Sequence, residues 1–477
     1  MLPDDVLLEI FDSYMDEDMG KVFGPTKKQR IEGWQVLGHV CRRWRNVVFQ
    51  SPLRLNLRLV CTPETPAKDT LDVWPPLPLI IHDTYRNGKS GVDNIIAALE
   101  HNDRVCQIEL RCFSSLELGY VTDSAAMQKP FPELTDLHLS MINDDGPIIP
   151  DSFLDGTAPC LQSLTLFGVP FPGLPNVLLS ATRLVNLSLY HIPLSGYIPP
   201  EVMATGISAL TSLESLLLQF QYPRPPPAQE RRRPPPLPPT RYIIPSLTKV
   251  RFKGTSEYLE EILTRIDAPQ LDELHITFFN QVIFDTPQLF QFISRRPILR
   301  TPKKGHIAFS SRAIIIRFPS RTSYYRVLSV QVPCTASEWQ LSSLEQICSS
   351  SLPPLFTLED LYIFEDREYP PRWQEDVENT LWLEVLHLFA AVKNLYLSSE
   401  FLSRIAPDLQ ELVGGRTTEV LPTLENIFLE GFQPSGPLHE GIEKFIAARR
   451  LTSCPVAVSR WGMNPEHYKY RYHPFLS

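Results

Sequence analysis

The chain has 477 residues, 43% of them hydrophobic and 21% charged, and its formal net charge is −9 at pH 7. This length exceeds one ordinary hydrophobic core, so it predicts several domains or one elongated repeat array. The acidic balance disfavours nucleic acid as the main ligand, because such binding depends on neutralising phosphates. No membrane span is predicted either, because no run of about 18 apolar residues occurs.

The cysteines and polar motifs predict no disulfide, metal or cofactor. The eight cysteines are scattered, without a C-x-x-C pair or a His partner at zinc spacing. We expect them to be reduced thiols of a cytoplasmic or nuclear protein, since the chain also begins without the features of a secretory signal. Nucleotide-binding, serine-hydrolase and zinc-protease motifs are missing, so no catalytic residue is predicted.

Two amphipathic helical segments are predicted near the start of the chain. Pro3 suits the first turn of a helix, and Asp4 and Asp5 favour its positive end. The apolar stripe of this first helix contains Val6, Leu7, Ile10, Phe11 and Tyr14. A loop carrying the acidic run at 16–18 is expected next. A second apolar face with spacings of three and four contains Trp34, Leu37, Cys41, Trp44 and Val48.

These two segments together resemble an F-box, the helical motif that docks onto the Skp adaptor of SCF ubiquitin ligases. The matching pattern is L-P-x-x-V-L-x-x-I-F followed by W-x-x-L-x-x-V-C-R-x-W-R, and it covers residues 1–55. The segment at 12–30 is longer than in the usual F-box. The resemblance implies that the adaptor or the module's own core contacts Leu2, Pro3, Val6, Leu7, Ile10, Phe11, Leu37, Val40, Cys41 and Trp44. An ordinary helical hairpin with an internal core is the alternative.

A leucine-rich pattern repeats through most of the remaining chain. The template L-x-x-L-x-L recurs at spacings of 23 to 34 residues apart from one gap, and its last two apolar positions would share one face of a strand. Helix-like stretches lie between the copies, so the order strand, helix, strand predicts a right-handed parallel solenoid. The copies begin at Val105, Leu134, Leu161, Leu184, Leu213, Leu247, Leu271, Leu358, Val392 and Leu424.

The predicted fold class is therefore mixed α+β and α/β, with a helical module followed by an irregular leucine-rich repeat-like solenoid. Residues 277–357 do not fit the template, and the apolar runs at 313–318 and 325–332 could form a hairpin or two compact repeats. The predicted boundaries are 1–55 for the F-box module, 56–100 for a connector, 101–460 for the solenoid and 461–477 for a tail.

A proline-rich insertion is predicted at 223–240, extended or disordered. Within it, Arg232, Pro235 and Pro238 match an R-x-x-P-x-x-P ligand of a Src-homology-type domain. The alternative is a disordered loop that protrudes between repeats. In two strand copies His138 and His275 occupy the position between the apolar pair, which points them to the exposed sheet surface, where they could contact a partner.

The layout as a whole is similar to that of F-box proteins with degenerate leucine-rich tails found in mushroom-forming fungi, most clearly at 352–366, 391–397 and 421–436. This similarity implies a substrate receptor that binds the Skp adaptor, through it a cullin, and along its repeats an unknown target protein. Two alternatives stay open: an F-box scaffold that acts without a cullin, and an enzyme on a solenoid.

Overall fold

The structure is a computed structural model, and its chain divides into two compact units, Met1–Leu213 and Glu214–Ser477. Described are residues 2–19, 33–52, 54–73, 75–84, 91–141, 146–222, 241–279, 284–319, 327–334, 337–350, 352, 355–366, 368–371, 380–413, 418–431, 439–452 and 454–462. The proline-rich insertion, with Arg232, Pro235 and Pro238, and residues 463–477 of the tail lie outside this part of the chain.

The first unit begins with three helices, which we call the N-terminal module: α1 Asp4–Met19, α2 Gly33–Val40 and α3 Arg42–Gln50. Cys41 separates the last two, and its sulfur accepts a hydrogen bond from the backbone of Trp44 at 3.4 Å. The acidic run at 16–18 lies inside α1, so the sequence-based expectation of a loop there is wrong. Helical spacing alone could not show how far α1 continues past its last apolar residue.

A parallel sheet of six strands follows in the first unit, and neighbouring strands are adjacent in chain order. Its first two strands lie within 56–100, which the sequence assigned to a connector, so that prediction needs correction. They lack the leucine template and were therefore missed. The strands are β1 Leu59–Cys61, β2 Leu79–Thr84, β3 Val105–Phe113, β4 Asp136–Met141, β5 Ser163–Phe167 and β6 Asn186–Ile192.

Short helices connect these strands, and local sequence explains where several of them begin. Ser114 and Glu117 form a capping box at the start of α6, whereas a proline lies in the first turn of both α7 and α8. The connecting helices are α4 Ala67–Thr70, α5 Val92–Leu99, α6 Ser115–Thr122, α7 Leu174–Ser180 and α8 Pro200–Ser208.

The second unit contains a sheet of ten strands. One strand in the middle of this sheet runs antiparallel to both of its neighbours. The order of the sheet is β7-β9-β11-β14-β13-β12-β15-β16-β17-β18, and β8 Tyr242–Ile243 pairs separately with β10 Ile266–Asp267. The ten strands are β7 Ser215–Phe220, β9 Lys249–Gly254, β11 Glu273–Phe278, β12 Lys304–Phe309, β13 Ala313–Pro319, β14 Val327–Pro333, β15 Asp360–Glu365, β16 Asn394–Leu397, β17 Asn426–Glu430 and β18 Ala457–Trp461.

The stretch that the sequence left undecided forms an antiparallel three-stranded insert in this sheet. Strand β13 pairs antiparallel with both β12 and β14, whereas β14 is parallel to β11 and β12 is parallel to β15. The hairpin alternative is therefore confirmed for β13 and β14, with β12 added. Strand β18 ends at Trp461, so the predicted tail at 461–477 begins one residue too early.

Helices of the second unit cover one face of its sheet. The carboxylate of Glu260 in α9 accepts backbone hydrogen bonds from Gln288 and Leu289 at 2.8 Å each, which caps the next helix. The helices are α9 Ser256–Arg265, α10 Pro287–Ser294, α11 Pro297–Arg300, α12 Ser337–Ser350, α13 Thr380–His387, α14 Ser399–Glu411 and α15 Glu440–Leu451.

The paired apolar positions of the template supply the core in each unit. In β4, for example, Leu137 and Leu139 are buried, and in β12 the ring of Phe309 packs against Trp382 of α13 and Phe401 of α14. Because side chains alternate along a strand, the intervening residues line the opposite face of each sheet, which we call the open face. All ten template copies form strands, so the repeat prediction is confirmed at the level of an α/β architecture with parallel strands.

Candidate functional site

The N-terminal module has its own buried core. Phe11 is fully buried, and its ring lies 4.9 Å from that of Trp44 in an edge-to-face arrangement. Leu7 and Leu37 are also buried. The indole N–H of Trp34 donates a hydrogen bond of 2.9 Å to the backbone carbonyl of Arg58. This core joins one stripe of α1 to the inner sides of α2 and α3.

A second apolar stripe on the module faces solvent. Val6 and Ile10 of α1 are 41% and 47% exposed, and they follow Leu2 at intervals of four residues. On α2, Val36 and Val40 are exposed with the same spacing. These five side chains leave apolar surface on both helices in contact with water, which is typical of an interaction site when the residues are contiguous. We call them the exposed stripe.

Ion pairs at the edge of the module fix α1 against the following segments. The guanidinium of Arg43 donates to Asp4 and to the backbone carbonyl of Leu2, both at 2.5 Å. Arg54 pairs with Glu9 and, at 3.3 Å, with Asp12. Each exposed pair contributes little to stability, and the burial of Leu7 and Phe11 is the main contact that holds α1.

The structure divides the ten residues of the predicted docking motif into two groups. Leu7, Phe11 and Leu37 belong to the module core, with Trp44 half-buried beside Phe11. The accessible group consists of Leu2, Pro3, Val6, Ile10, Val40 and Cys41. Only the second group is accessible from solvent, whereas the first group packs inside the module. Helical spacing could not distinguish the two adjacent stripes of α1.

The open face of the second unit carries a concentration of positive charge. Strand β9 reads K-V-R-F-K, so Lys249, Arg251 and Lys253 all point to this face. On β11, Glu273 lies 2.9 Å from Arg251 and 3.6 Å from Lys249, and the ring of His275 lies 3.1 Å from it. Burial opposes ionisation of Glu273, but hydrogen bonds from His275 and Arg251 hold its pKa down to about 2.

One of these cations, Lys253, has no acidic partner in the part of the chain that the structure describes. No carboxylate of the described residues lies within 4.0 Å of the Lys253 ammonium group, and burial lowers the pKa of this lysine. Its register neighbours on the open face are Gln219 of β7 and Thr277 of β11. Gln219 is 2% exposed, and among the described residues neither its amide nitrogen nor its amide oxygen has a hydrogen-bond partner.

Aromatic side chains occupy the other end of the same open face. Rings of Tyr362, Tyr396 and Phe428 stack in register across β15, β16 and β17, with centroid distances of 4.1 Å and 4.5 Å. The ring of Trp461 in β18 packs against the first two rings of this row, with centroids 5.8 Å from Tyr362 and 5.7 Å from Tyr396. We call these four residues the aromatic ladder. Sequence reasoning missed it because its successive members are 32 to 34 residues apart in the chain.

The open face of the first unit has a smaller charged cluster. Glu109 of β3 lies between His82 of β2, at 3.1 Å, and the guanidinium of Arg111, at 2.5 Å. The hydrogen bond from His82 lowers the pKa of Glu109 despite burial. His138 lies beside Glu109 in register, and burial together with Arg111 lowers its pKa. His138 and His275 thus both occupy the open faces to which the sequence assigned them.

Among the described residues, no group of three or more His, Cys, Asp or Glu side chains could hold a metal ion. Within the same part of the chain, no helix has both the length and the apolar character needed to cross a bilayer.

Comparison with known proteins shows no family. No protein-family model matches the chain, and no curated protein matches it. Among solved structures, the leucine-rich repeat-containing protein LegL7 from Legionella pneumophila is 12% identical, with 78% of this chain and 97% of that chain covered and a TM-score of 0.26. A TM-score this low carries no argument, so the α/β repeat architecture rests on the strands and helices described above.

Proposed function

We propose that this chain is a substrate receptor of an SCF-type ubiquitin ligase. In this proposal the N-terminal module acts as an F-box that binds a Skp-type adaptor, the adaptor links it to a cullin, and the repeat units bind a target protein. The observation that carries the proposal is the exposed stripe, because Leu2, Val6, Ile10 and Val40 are both solvent-accessible and part of the F-box-like pattern.

The internal construction of the module supports this assignment. Phe11 is buried against the ring of Trp44, and Arg43 and Arg54 pair with carboxylates of α1, so the exposed stripe lies on a helix that the module core already holds in place. Preorganisation lowers the entropic cost of association. Binding energy at such surfaces is concentrated in a few large apolar residues, each worth about 2 kcal/mol or more.

In such a receptor the chain contributes no catalytic residue. It would act by holding the target near the ubiquitin-charged conjugating enzyme, which raises the effective concentration of the two reactants. The target would bind on the repeat units, whose open faces carry charged and aromatic side chains in register.

The test is co-expression with a Skp-type adaptor, followed by affinity purification and mass spectrometry. We expect the wild-type chain to retain the adaptor and a cullin. The double variant Val6→Asp/Ile10→Asp should lose both, because two anchors at about 2 kcal/mol each correspond to roughly a thousandfold weaker binding. A control, Val73→Asp/Leu451→Asp, adds the same two negative charges at side chains that are 82% and 88% exposed and lie outside the module.

Each outcome of this purification has a direct consequence. Adaptor binding that survives in the double variant at the level of the control would contradict the proposal. Recovery of the adaptor without a cullin would favour the cullin-free scaffold instead. Circular dichroism of the double variant checks that the helices persist, which we expect because neither substituted side chain belongs to the module core.

A further inference from the structure

Positive charge exceeds negative charge among the described side chains of the open face at β9 and β11. Lys249, Arg251 and Lys253 face one carboxylate, that of Glu273. Three positive charges against one negative charge leave an excess of two, on a chain whose net charge is −9. Such a local excess attracts anionic groups at short range.

The polar groups around Lys253 are arranged as an incomplete hydrogen-bonding set. Within the part of the chain that the structure describes, the amide nitrogen and amide oxygen of Gln219 have no hydrogen-bond partner, although the residue is almost completely buried. Leaving a buried polar group unsatisfied is unfavourable, and a native structure keeps one mainly where a ligand or water completes it. A carboxylate placed between Lys253 and Gln219 would accept hydrogen bonds from both side chains. A peptide backbone N–H would donate a hydrogen bond to the amide oxygen of Gln219.

The charge of this surface sets the chemistry of its occupant. Two positive charges in excess favour a partner that carries negative charge. Carboxylates are the negatively charged side chains of an unmodified peptide, so the occupant is an acidic segment of a partner protein.

The spacing of strands sets the length of that occupant. From β9 to β16 the sheet order is β9-β11-β14-β13-β12-β15-β16, which is six steps. At about 4.8 Å per step this is roughly 29 Å, the length of about nine extended residues. A segment that reaches from Lys253 to the exposed part of Tyr396 thus needs acidic residues at one end and an apolar or aromatic residue at the other.

We propose that the open face of the second unit binds an extended acidic peptide segment, with a carboxylate held between Lys253 and Gln219 and an apolar side chain on the aromatic ladder. The inference rests on the proposed function only in that this segment belongs to the target protein. It names the target by its chemistry, and adaptor binding through the N-terminal module is not required for it.

The experiment measures fluorescence anisotropy of a labelled peptide of about 12 residues that carries glutamates at one end and a phenylalanine at the other. The full-length chain is the receptor, and a peptide with glutamine in place of each glutamate is the matched probe. We expect the acidic peptide to bind at least about tenfold more tightly than the glutamine peptide, because charge-assisted hydrogen bonds are about twice as strong as neutral ones. Equal binding of both peptides, or no binding of the acidic one, would overturn the proposal.

Three receptor variants make the test specific to this site. Lys253→Met should weaken the acidic peptide about tenfold, whereas Lys444→Met, which removes the same charge from α15, should leave binding unchanged. Glu273→Gln should tighten binding at least about threefold, because it removes the carboxylate that competes for Arg251 and Lys249. If Lys253→Met and Lys444→Met behave alike, or if Glu273→Gln weakens binding, the assignment is wrong.

Gln219→Leu separates a binding role from a structural one. Replacing an unsatisfied buried amide by an apolar side chain of similar size should raise the melting temperature, yet it should weaken the acidic peptide. If Gln219 had only a structural role, the melting temperature and the affinity for the acidic peptide would change in the same direction. That result would refute the binding role assigned to Gln219. Adaptor retention by Lys253→Met, measured by the same co-purification, distinguishes failure at this site from failure of the F-box assignment.

Discussion

Asp408 provides a stringent test of the electrostatics in the second unit. It lies in α14, is fully buried, and neither of its carboxylate oxygens has a hydrogen-bond partner among the described residues. Burial, with a smaller contribution from Glu411, raises the pKa of Asp408 from 3.8 to about 7. The folded state therefore binds a proton that the unfolded state releases, and stability decreases as the pH rises through this range.

The size of this effect follows from the two pKa values. Below pH 3.8 the carboxyl group of Asp408 is protonated in the folded and the unfolded state, so it does not lower stability. Above about pH 7 it is ionised in both states, and the loss of stability has reached its full size. Linkage gives a loss of about 2 kcal/mol at pH 5 and about 4 kcal/mol at pH 8. In the variant Asp408→Asn this pH-dependent loss is absent, while the shape of the side chain and its lack of partners are retained.

The measurement is urea unfolding of the wild type and of Asp408→Asn at pH 5 and pH 8, followed by tryptophan fluorescence. Trp382 reports on this region, because its ring lies 5.3 Å from Phe401 of α14. We expect the free energy of unfolding of the variant, relative to the wild type, to increase by about 2 to 3 kcal/mol between the two pH values. Parallel behaviour of both proteins would refute the burial of an unpaired carboxylate.

Three further predictions concern other parts of the chain. Phe11→Ala should destabilise the N-terminal module by about 3 to 5 kcal/mol, so adaptor binding should be lost together with the part of the helical circular dichroism that α1, α2 and α3 contribute, unlike in Val6→Asp/Ile10→Asp. Glu273→Gln should flatten the acid unfolding curve between pH 4.5 and 2, where the wild type loses about 3 kcal/mol because the low pKa of Glu273 stabilises the folded state only above that range. Asn394→Ala should lower the free energy of unfolding by about 1 to 2 kcal/mol in a urea titration, because Asn394 donates to Asp360 at 2.7 Å and accepts from Asn426 at 2.8 Å.

The repeat strands were predictable because their pattern has one physical meaning. Two apolar residues separated by one polar residue bury one face of a short strand, and this held from β3 to β17 wherever the template occurs. The antiparallel insert was not predictable to the same degree. Its run Ile314, Ile315 and Ile316 is buried on both faces, so alternation gives no orientation, and strand direction is not encoded in hydrophobicity.

Candidate binding residues were harder to derive than the fold. Lys253 and Gln219 meet only through strand register, although they are 34 residues apart in the chain. In the N-terminal module the apolar pattern predicted the helix α1, but a helix with two adjacent apolar stripes does not reveal which one faces inward. Tertiary packing places Leu7 and Phe11 inside and leaves Ile10 in contact with water.

The most direct test of the F-box proposal is site-specific photo-crosslinking on the exposed stripe. A photoreactive phenylalanine analogue is placed at Ile10, or at Leu451 as the control, in the chain co-expressed with a Skp-type adaptor. We predict a covalent product with the adaptor from Ile10 and none from Leu451. Absence of the product at Ile10 while the chain remains folded, or equal products at both positions, would contradict the proposal that this stripe binds the adaptor.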